Sequence, residues 1–254
     1  MWWTLRIVFL LMVLACVAFT AYVDRERSVS WRSPLWVGIF PVAGDSSERT
    51  SGYIAGLSAQ DFQPIAEFMG REASRRGRPA EVLRLRLHPV PAVPPPGRGE
   101  SRGAVANVIW SLRLRWYAWR RMAQVDGPPP TVRLFVIYHD PTRTVKVPHS
   151  VGLQKGLVGV VHVFASHDQQ GSNQVVIAHE LLHTLGATDK YGADDMPRWP
   201  DGYADPGQEP RLPQRRAELM AGRRAVSEHV AEIPAGLADV VIGDATAREI
   251  RWLR

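Results

Sequence analysis

The chain has 254 residues, of which 45% are hydrophobic and 22% are charged. This composition excludes wholesale disorder and supplies enough apolar side chains for the core of a domain. The formal net charge is +6, but the arginines are scattered and form no basic block interleaved with aromatic residues, so we expect no nucleic-acid partner. Because Cys16 is the single cysteine, a disulfide within the chain is excluded.

An apolar run near the N-terminus, residues 7–23, reaches the lower limit of the length that crosses a bilayer. Trp2 and Trp3 precede this run and Tyr22 lies at its C-terminal end, at positions where aromatic side chains favour the membrane interface. We predict that residues 1–24 are a transmembrane anchor or a signal segment.

Three fates of this segment are open. A retained single-pass anchor is favoured, because no A-x-A-like cleavage site with a polar mature start follows the run. Cleavage, which would release a secreted protein, comes second, and lipid attachment at Cys16 comes third. Arginines on both sides of the run leave its orientation open, and residues 25–33 are predicted to be a short tether.

The predicted elements then alternate between strands and helices. In chain order they are a buried strand over 35–40, a loop over 43–52, a helix from Ser58 to about Gly77, an amphipathic strand over 81–88, a proline-rich loop over 89–99 and a helix over 104–123. Ser58 and Asp61 resemble a capping box at the start of the first helix. The inner side predicted for the last helix is the stripe Val105, Val108, Ile109, Leu112, Trp116 and Trp119.

Two further strands, over 131–138 and 156–165, precede a helix over 173–185. This order predicts an α/β (α+β) fold, in which helices pack on a twisted mixed sheet.

The C-terminal part has a different composition. Residues 190–214 are rich in proline and glycine and predict a long irregular loop, whose aspartates indicate a solvated acidic surface more than a calcium site. The remaining predictions are a turn and a helix over 214–231, and a short strand and a closing helix over 237–254 that dock through Ile250 and Trp252.

The helix over 173–185 carries an HExxH pattern. Ser172 or Asn173 is its expected N-cap. His179 and His183 are four residues apart and lie on one face of the helix, where both imidazoles can bind one zinc ion. Glu180 lies beside them, where it can accept a proton from water.

The residues after the helix complete the pattern. Gly186 accepts the left-handed conformation that turns the chain sharply at a helix end, and Asp189 follows three residues later. Such a turn can bring Asp189 back to the two imidazoles, and a carboxylate oxygen is an acceptable zinc ligand. The predicted Zn²⁺ ligands are therefore His179, His183 and Asp189, with Glu180 as the catalytic residue.

The stretch from His179 to Asp189, HExxHxxGxxD, resembles the zinc signature of the metzincin endopeptidases, in the snapalysin-like variant whose third ligand is aspartate. In that family a methionine lies in a tight turn beneath the metal, and Met220 is the candidate here. Many metzincins have a tyrosine two residues after this methionine, where the present chain has glycine. Tyr191 and Tyr203 are the other candidates for assisting an oxyanion.

The resemblance implies a zinc metallopeptidase domain over 34–254, with an upper subdomain over 34–186 and a smaller irregular lower subdomain over 187–254. It also implies a protein or peptide substrate, aligned along the strand over 157–164 at the edge of the cleft. The secreted habit of the family favours a catalytic domain outside the cytoplasm. The oligomeric state is left open.

Two alternatives remain at this point. The third ligand could be a downstream glutamate, Glu209 or Glu218, as in thermolysin-like peptidases. The zinc could also only stabilise a non-catalytic binding or scaffold protein, in which Glu180 has no functional role.

Overall fold

The computed structural model of the chain describes residues 2–97, 99, 103–122, 127–154 and 156–253. Over these ranges the chain forms a mixed α/β fold with a five-stranded mixed sheet and six α-helices. The helices are α1 (Trp2–Ser28), α2 (Glu48–Ala55), α3 (Gln63–Ser74), α4 (Ala104–Met122), α5 (Gln170–Leu185) and α6 (Asp244–Glu249). The strands are β1 (Leu35–Ala43), β2 (Leu83–Leu87), β3 (Val132–His139), β4 (Val151–Leu153), β5 (Val158–Phe164), β6 (Ala217–Glu218), β7 (Arg224–Ala225), β8 (Ala231–Glu232) and β9 (Val240–Val241).

The large sheet has the strand order β2-β1-β3-β5-β4. Neighbours among β2, β1, β3 and β5 are parallel, whereas β4 pairs antiparallel with β5 at one edge. The central strands β1 and β3 are apolar on both sides, as expected for strands covered by helices on both faces. The strand over 157–164, predicted to align a substrate at the edge of the cleft, is β5, and β4 pairs with its residues Val158 to Val160 on the side away from β3. The edge belongs to β4.

Two layers of helices cover the sheet. On one face, α3 and α5 share a core cluster with the sheet, which includes Phe68, Leu181 and Leu134. On the other face, a second cluster joins Leu114 of α4 to Phe135 of β3. Alternate residues of β3 therefore enter different cores, which follows from the alternation of side chains along a strand.

The orientation of α4 differs from the prediction. The stripe expected to pack on the sheet is exposed, as illustrated by Trp116 at 58% and Trp119 at 69% exposure. The buried side instead contains Trp110, Leu114 and Tyr117. Because the helix is apolar on two sides, its periodicity could not indicate which side the sheet would cover.

The N-terminal region consists of α1 and a short connection to β1. In the portion of the chain that is described, no helix combines the length and hydropathy that a membrane crossing requires. Cys16 falls within α1 at a position whose side chain is outside the described residues. The segment predicted to be a tether contributes Trp31 to the core: its Nε1 donates a hydrogen bond to the Ile250 carbonyl at 2.7 Å, and its ring contacts Trp252 edge-on.

Shorter elements also depart from the predictions. The loop predicted over 43–52 overlaps α2, which begins after Ser47, whose Oγ accepts a hydrogen bond from the Arg49 amide. Residues 214–231 form no α-helix; they contribute β6, a 3₁₀ turn over Leu219–Ala221, β7 and the connection to β8. The irregular character of 190–214 is confirmed, since no helix or strand lies there.

The C-terminal part is held together by small pairings. β6 pairs in parallel with β9, and β7 pairs antiparallel with β8. Ile250 and Trp252 are buried at 0% and 2% exposure, so the predicted docking of the C-terminal residues is confirmed.

Candidate metal centre

The HExxH pattern lies on α5, which ends as predicted. Gly186 caps the helix with φ 103° and ψ 8°, the left-handed conformation that glycine adopts without steric cost. The predicted N-cap is wrong, because the helix begins at Gln170. Asn173 is buried instead, and its side chain accepts a hydrogen bond from the Phe164 amide and donates one to the Phe164 carbonyl. These two bonds fix the start of α5 to the end of β5.

The three predicted ligands converge. The Nε2 atoms of His179 and His183 are 3.0 Å apart. Oδ1 of Asp189 lies 3.2 Å from the first and 3.1 Å from the second. Tetrahedral zinc with bonds of about 2.0 to 2.1 Å separates its ligand atoms by about 3.3 Å, so one point about 2 Å from all three atoms exists about 1 Å above their plane. The arrangement therefore fits a single zinc-sized ion.

A wider group also qualifies as a metal site. His179, Glu180 and His183 each offer a ligand atom, and these atoms all lie within 4.8 Å of one another, so this group could hold a metal ion. Oδ1 of Asp189 lies 3.2 and 3.1 Å from the two Nε2 atoms, well within the same 4.8 Å. Asp189 therefore offers a further carboxylate oxygen to the same point, and Glu180 lies beside it.

Backbone carbonyls at the Nδ1 atoms fix the orientation of both imidazoles. Nδ1 of His179 is 2.9 Å from the Leu219 carbonyl, and Nδ1 of His183 is 2.9 Å from the Ala187 carbonyl. Since a carbonyl oxygen can only accept a hydrogen bond, each Nδ1 carries the proton. Each Nε2 then directs its lone pair toward the shared point, which is the tautomer that metal binding requires.

The turn around Met220 lies next to His179, because the Leu219 carbonyl that bonds to this histidine belongs to the turn. Leu219–Ala221 is a 3₁₀ turn, and Met220 is fully buried within the same core cluster as Leu182 of α5. The Met220 carbonyl accepts a hydrogen bond from the Lys190 amide at 2.9 Å. The turn thus connects the carbonyl that orients His179 to the segment that carries Asp189.

Glu180 has an unsatisfied carboxylate oxygen. Its side chain is buried, and Oε2 has no hydrogen-bond partner among the described residues. Burial raises the pKa of the Glu180 carboxyl above its ordinary value, against the opposing effect of the two neighbouring histidines. A buried carboxylate with a raised pKa and a free oxygen is suited to accept a proton from water.

Asp189 and Tyr191 form the more accessible wall of the site. Burial works to raise the pKa of Asp189, but the close approach of its carboxylate to the His179 and His183 rings outweighs burial and holds that pKa well below its usual range. Burial, together with the charge of Asp189 and a hydrogen bond to it, raises the pKa of Tyr191 to about 12. Of the two candidate tyrosines, Tyr191 lies at the site, whereas Tyr203 is buried beside Ala217.

The two alternative glutamates are elsewhere. Both oxygens of Glu218 are occupied: Oε1 accepts hydrogen bonds from Gly243 and Thr246, and Oε2 accepts one from the Ala221 amide. Glu209 is exposed in the irregular loop. The buried Glu218 side chain therefore links the Met220 turn to the start of α6 through hydrogen bonds.

The residue that sequence reasoning missed at the site is Gly152, in the edge strand β4. A Cβ at this position would lie 2.5 Å from the Glu180 carbonyl oxygen and 2.5 Å from Cβ of His183. Only glycine lets β4 approach the metal-binding helix this closely. The sequence signal was weak, because a three-residue strand has too few residues to show alternation.

Two histidines outside the site are buried. His88 and His139 are 6% and 8% exposed. Nε2 of His139 is 2.9 Å from Nδ1 of His162, which joins the ends of β3 and β5.

No protein-family model matches the chain, and the curated proteins compared with it include no match.

Proposed function

We propose that the protein is a zinc-dependent endopeptidase that hydrolyses internal bonds of a protein or peptide substrate. His179, His183 and Asp189 hold the zinc, and Glu180 is the general base. The observation that carries the proposal is the convergence of three ligand atoms 3.0 to 3.2 Å apart beside the unpartnered Oε2 of Glu180. The HExxHxxGxxD spacing agrees with a metzincin of the aspartate variant.

The roles of the side chains follow from their surroundings. Zinc, when bound, supplies Lewis-acid polarisation of a peptide carbonyl and lowers the pKa of water. Oε2 of Glu180 accepts the proton of the attacking water and returns it to the leaving amine, and its raised pKa improves it as a base. The carbonyls behind His179 and His183 keep both rings in the metal-binding tautomer.

The edge strand β4 is the surface on which an extended substrate would align. It pairs with β5 on one side and, among the described strands, has no partner on the other. An extended peptide can add to such an edge through main-chain hydrogen bonds. Gly152 keeps this edge against α5, so a peptide paired there lies next to Glu180 and His183.

The main competing function is a protein whose zinc only stabilises the fold. A structural zinc site is closed by four protein ligands, whereas three ligands with an open position are typical of catalytic sites. The unsatisfied Oε2 of Glu180 also favours catalysis, because a buried carboxylate oxygen without a hydrogen-bond partner destabilises the folded state. Attachment to a membrane through residues 1–24, with the domain outside the cytoplasm, accompanies this proposal as a prediction from the sequence.

The deciding variant is Glu180→Gln, which keeps the shape of the side chain but removes the base. Zinc content and cleavage of a peptide library are measured for the wild type, for Glu180→Gln and for the control Glu209→Gln, which changes an exposed glutamate. We expect full zinc content in all three and a loss of kcat/KM of about 10² to 10⁴-fold in Glu180→Gln alone. Equal cleavage by the wild type and Glu180→Gln would exclude the mechanism, and zinc without any cleavage in the wild type would favour the scaffold.

A further inference from the structure

Outside α1, the exposed stripe of α4 is an apolar face that the fold leaves uncovered among the described residues. Its members are 47% to 74% exposed and are Val105, Val108, Ile109, Leu112, Trp116 and Trp119. At 100° per residue these six positions fall within an arc of about 100°, so they form one continuous face. Contiguous exposed apolar surface of this kind marks an interaction site more often than a free surface.

The charges on α4 have a single sign. The helix carries four arginines and no aspartate or glutamate between Ala104 and Met122. On the helical wheel Arg113 and Arg120 border one side of the stripe and Arg115 borders the other. The Arg120 guanidinium lies 4.9 Å from the centre of the Trp116 ring. Tryptophan with flanking arginine is the combination that favours the boundary between lipid chains and headgroups.

A neighbouring loop also exposes apolar side chains. Val90 and Val93 are 52% and 55% exposed. The loop that contains them is held against α4, because the Tyr117 hydroxyl donates to the Val93 carbonyl at 2.5 Å and Nε1 of Trp110 donates to the Pro96 carbonyl at 2.9 Å. Both donors belong to the buried side of α4, so the position of this loop is fixed by the core.

We infer that this face of α4 docks in the plane of an anionic lipid surface, with Trp116 and Trp119 among the acyl chains and the arginines at the phosphate level. Charge complementarity selects this occupant. A second copy of the chain docked on this face would oppose the three arginines that border the stripe with three more, and α4 has no carboxylate to compensate them. The contact does not involve residues 1–24 and is independent of the metal site.

The test uses the full chain and a probe on the stripe itself. Cys16→Ser is combined with Leu112→Cys, and the new thiol is labelled with an environment-sensitive fluorophore. The matched control places the label at Val145→Cys, an apolar position that is 99% exposed and outside α4. Vesicles of phosphatidylcholine alone, and of phosphatidylcholine with phosphatidylglycerol, are then titrated in.

We expect a blue shift for the label at position 112 with the anionic vesicles, a much weaker one with phosphatidylcholine alone, and none at position 145. Replacing Arg113 and Arg120 with glutamine should weaken partitioning about thirtyfold, since each arginine near an anionic surface contributes about fivefold. Because these side chains are exposed, the variants should keep the wild-type circular dichroism spectrum.

Three results would overturn the inference. The first is no shift at position 112 with either vesicle. The second is an equal shift with and without phosphatidylglycerol, which would show that the arginines have no role. The third is a blue-shifted label before lipid is added together with a dimeric mass by light scattering, which would identify the face as an interface between copies.

Discussion

Gly152→Ala is the sharpest test of how the fold positions the metal site. The added methyl group would lie 2.5 Å from the Glu180 carbonyl oxygen, 2.5 Å from Cβ of His183 and 3.2 Å from the Thr184 amide nitrogen. All three are backbone or Cβ atoms of α5, which cannot move away by rotating a side chain. β4 is also held from its other side, where Val151 pairs with Val160.

The size of the effect follows from the overlap. Ordinary contacts of a Cβ begin at about 3.4 Å, so two contacts are too short by about 0.9 Å, and β4 or α5 must shift by a similar distance. Overpacking of this kind costs about 1 to 3 kcal/mol in the free energy of unfolding. A shift of His183 also displaces a ligand by far more than the roughly 0.2 Å that metal geometry tolerates, so zinc affinity should fall at least about tenfold.

Urea unfolding and competition with a zinc chelator measure the two effects. The matched control is Gly52→Ala in α2, where nothing lies within 4 Å of the added Cβ, so this variant should be neutral or more stable by up to about 1 kcal/mol. If Gly152→Ala unfolds at the wild-type urea concentration and binds zinc as tightly, then β4 does not set the position of α5, and the packing argument fails.

Two further predictions concern single side chains. Asp189→Ala should reduce zinc content strongly while Glu209→Ala leaves it unchanged, because only Asp189 faces the imidazoles; equal zinc content in the two variants would remove Asp189 from the ligand set. Burial, with a smaller contribution from His139, lowers the pKa of His162 to about 4. The folded chain therefore binds this proton less tightly than the unfolded chain, so the stabilisation is complete above about pH 6.5 and is lost as the pH falls toward about 4. After a discount for partial exposure, the wild type should lose roughly 1 to 2 kcal/mol more than His162→Asn between about pH 7 and pH 4.5 in urea unfolding, and parallel losses would contradict the assignment.

The parts of the site that could be predicted from sequence are governed by local geometry. A four-residue spacing fixes two imidazoles on one helix face, and the glycine at position 186 adopts the left-handed conformation that its lack of a Cβ allows. The proximity of Asp189 followed from that turn. The spacing of the imidazoles and the glycine cap depend on residues within about one helical turn of each other, whereas Asp189 lies ten residues from His179 and its segment is also held by the hydrogen bond from the Lys190 amide to the Met220 carbonyl.

The features that could not be predicted depend on distant contacts. The sheet could cover either apolar side of α4, and the choice was made by packing against Phe135. α2 lies in a stretch rich in glycine and serine, where propensity predicts a loop, and it is stabilised by burying Tyr53 and Ile54. The edge position of β4 required knowledge of the whole strand order.

The junction between α1 and the folded body has a mechanical consequence. α1 ends at Ser28, and three residues later the ring of Trp31 packs edge-on against Trp252. The two intervening residues form a linker that spans at most about 10 Å. Any surface that binds α1 therefore holds the folded domain within about 10 Å of the end of that helix. A truncation that removes Trp31 would remove a buried indole from the core. The N-terminal limit of an independently stable domain therefore lies before that residue.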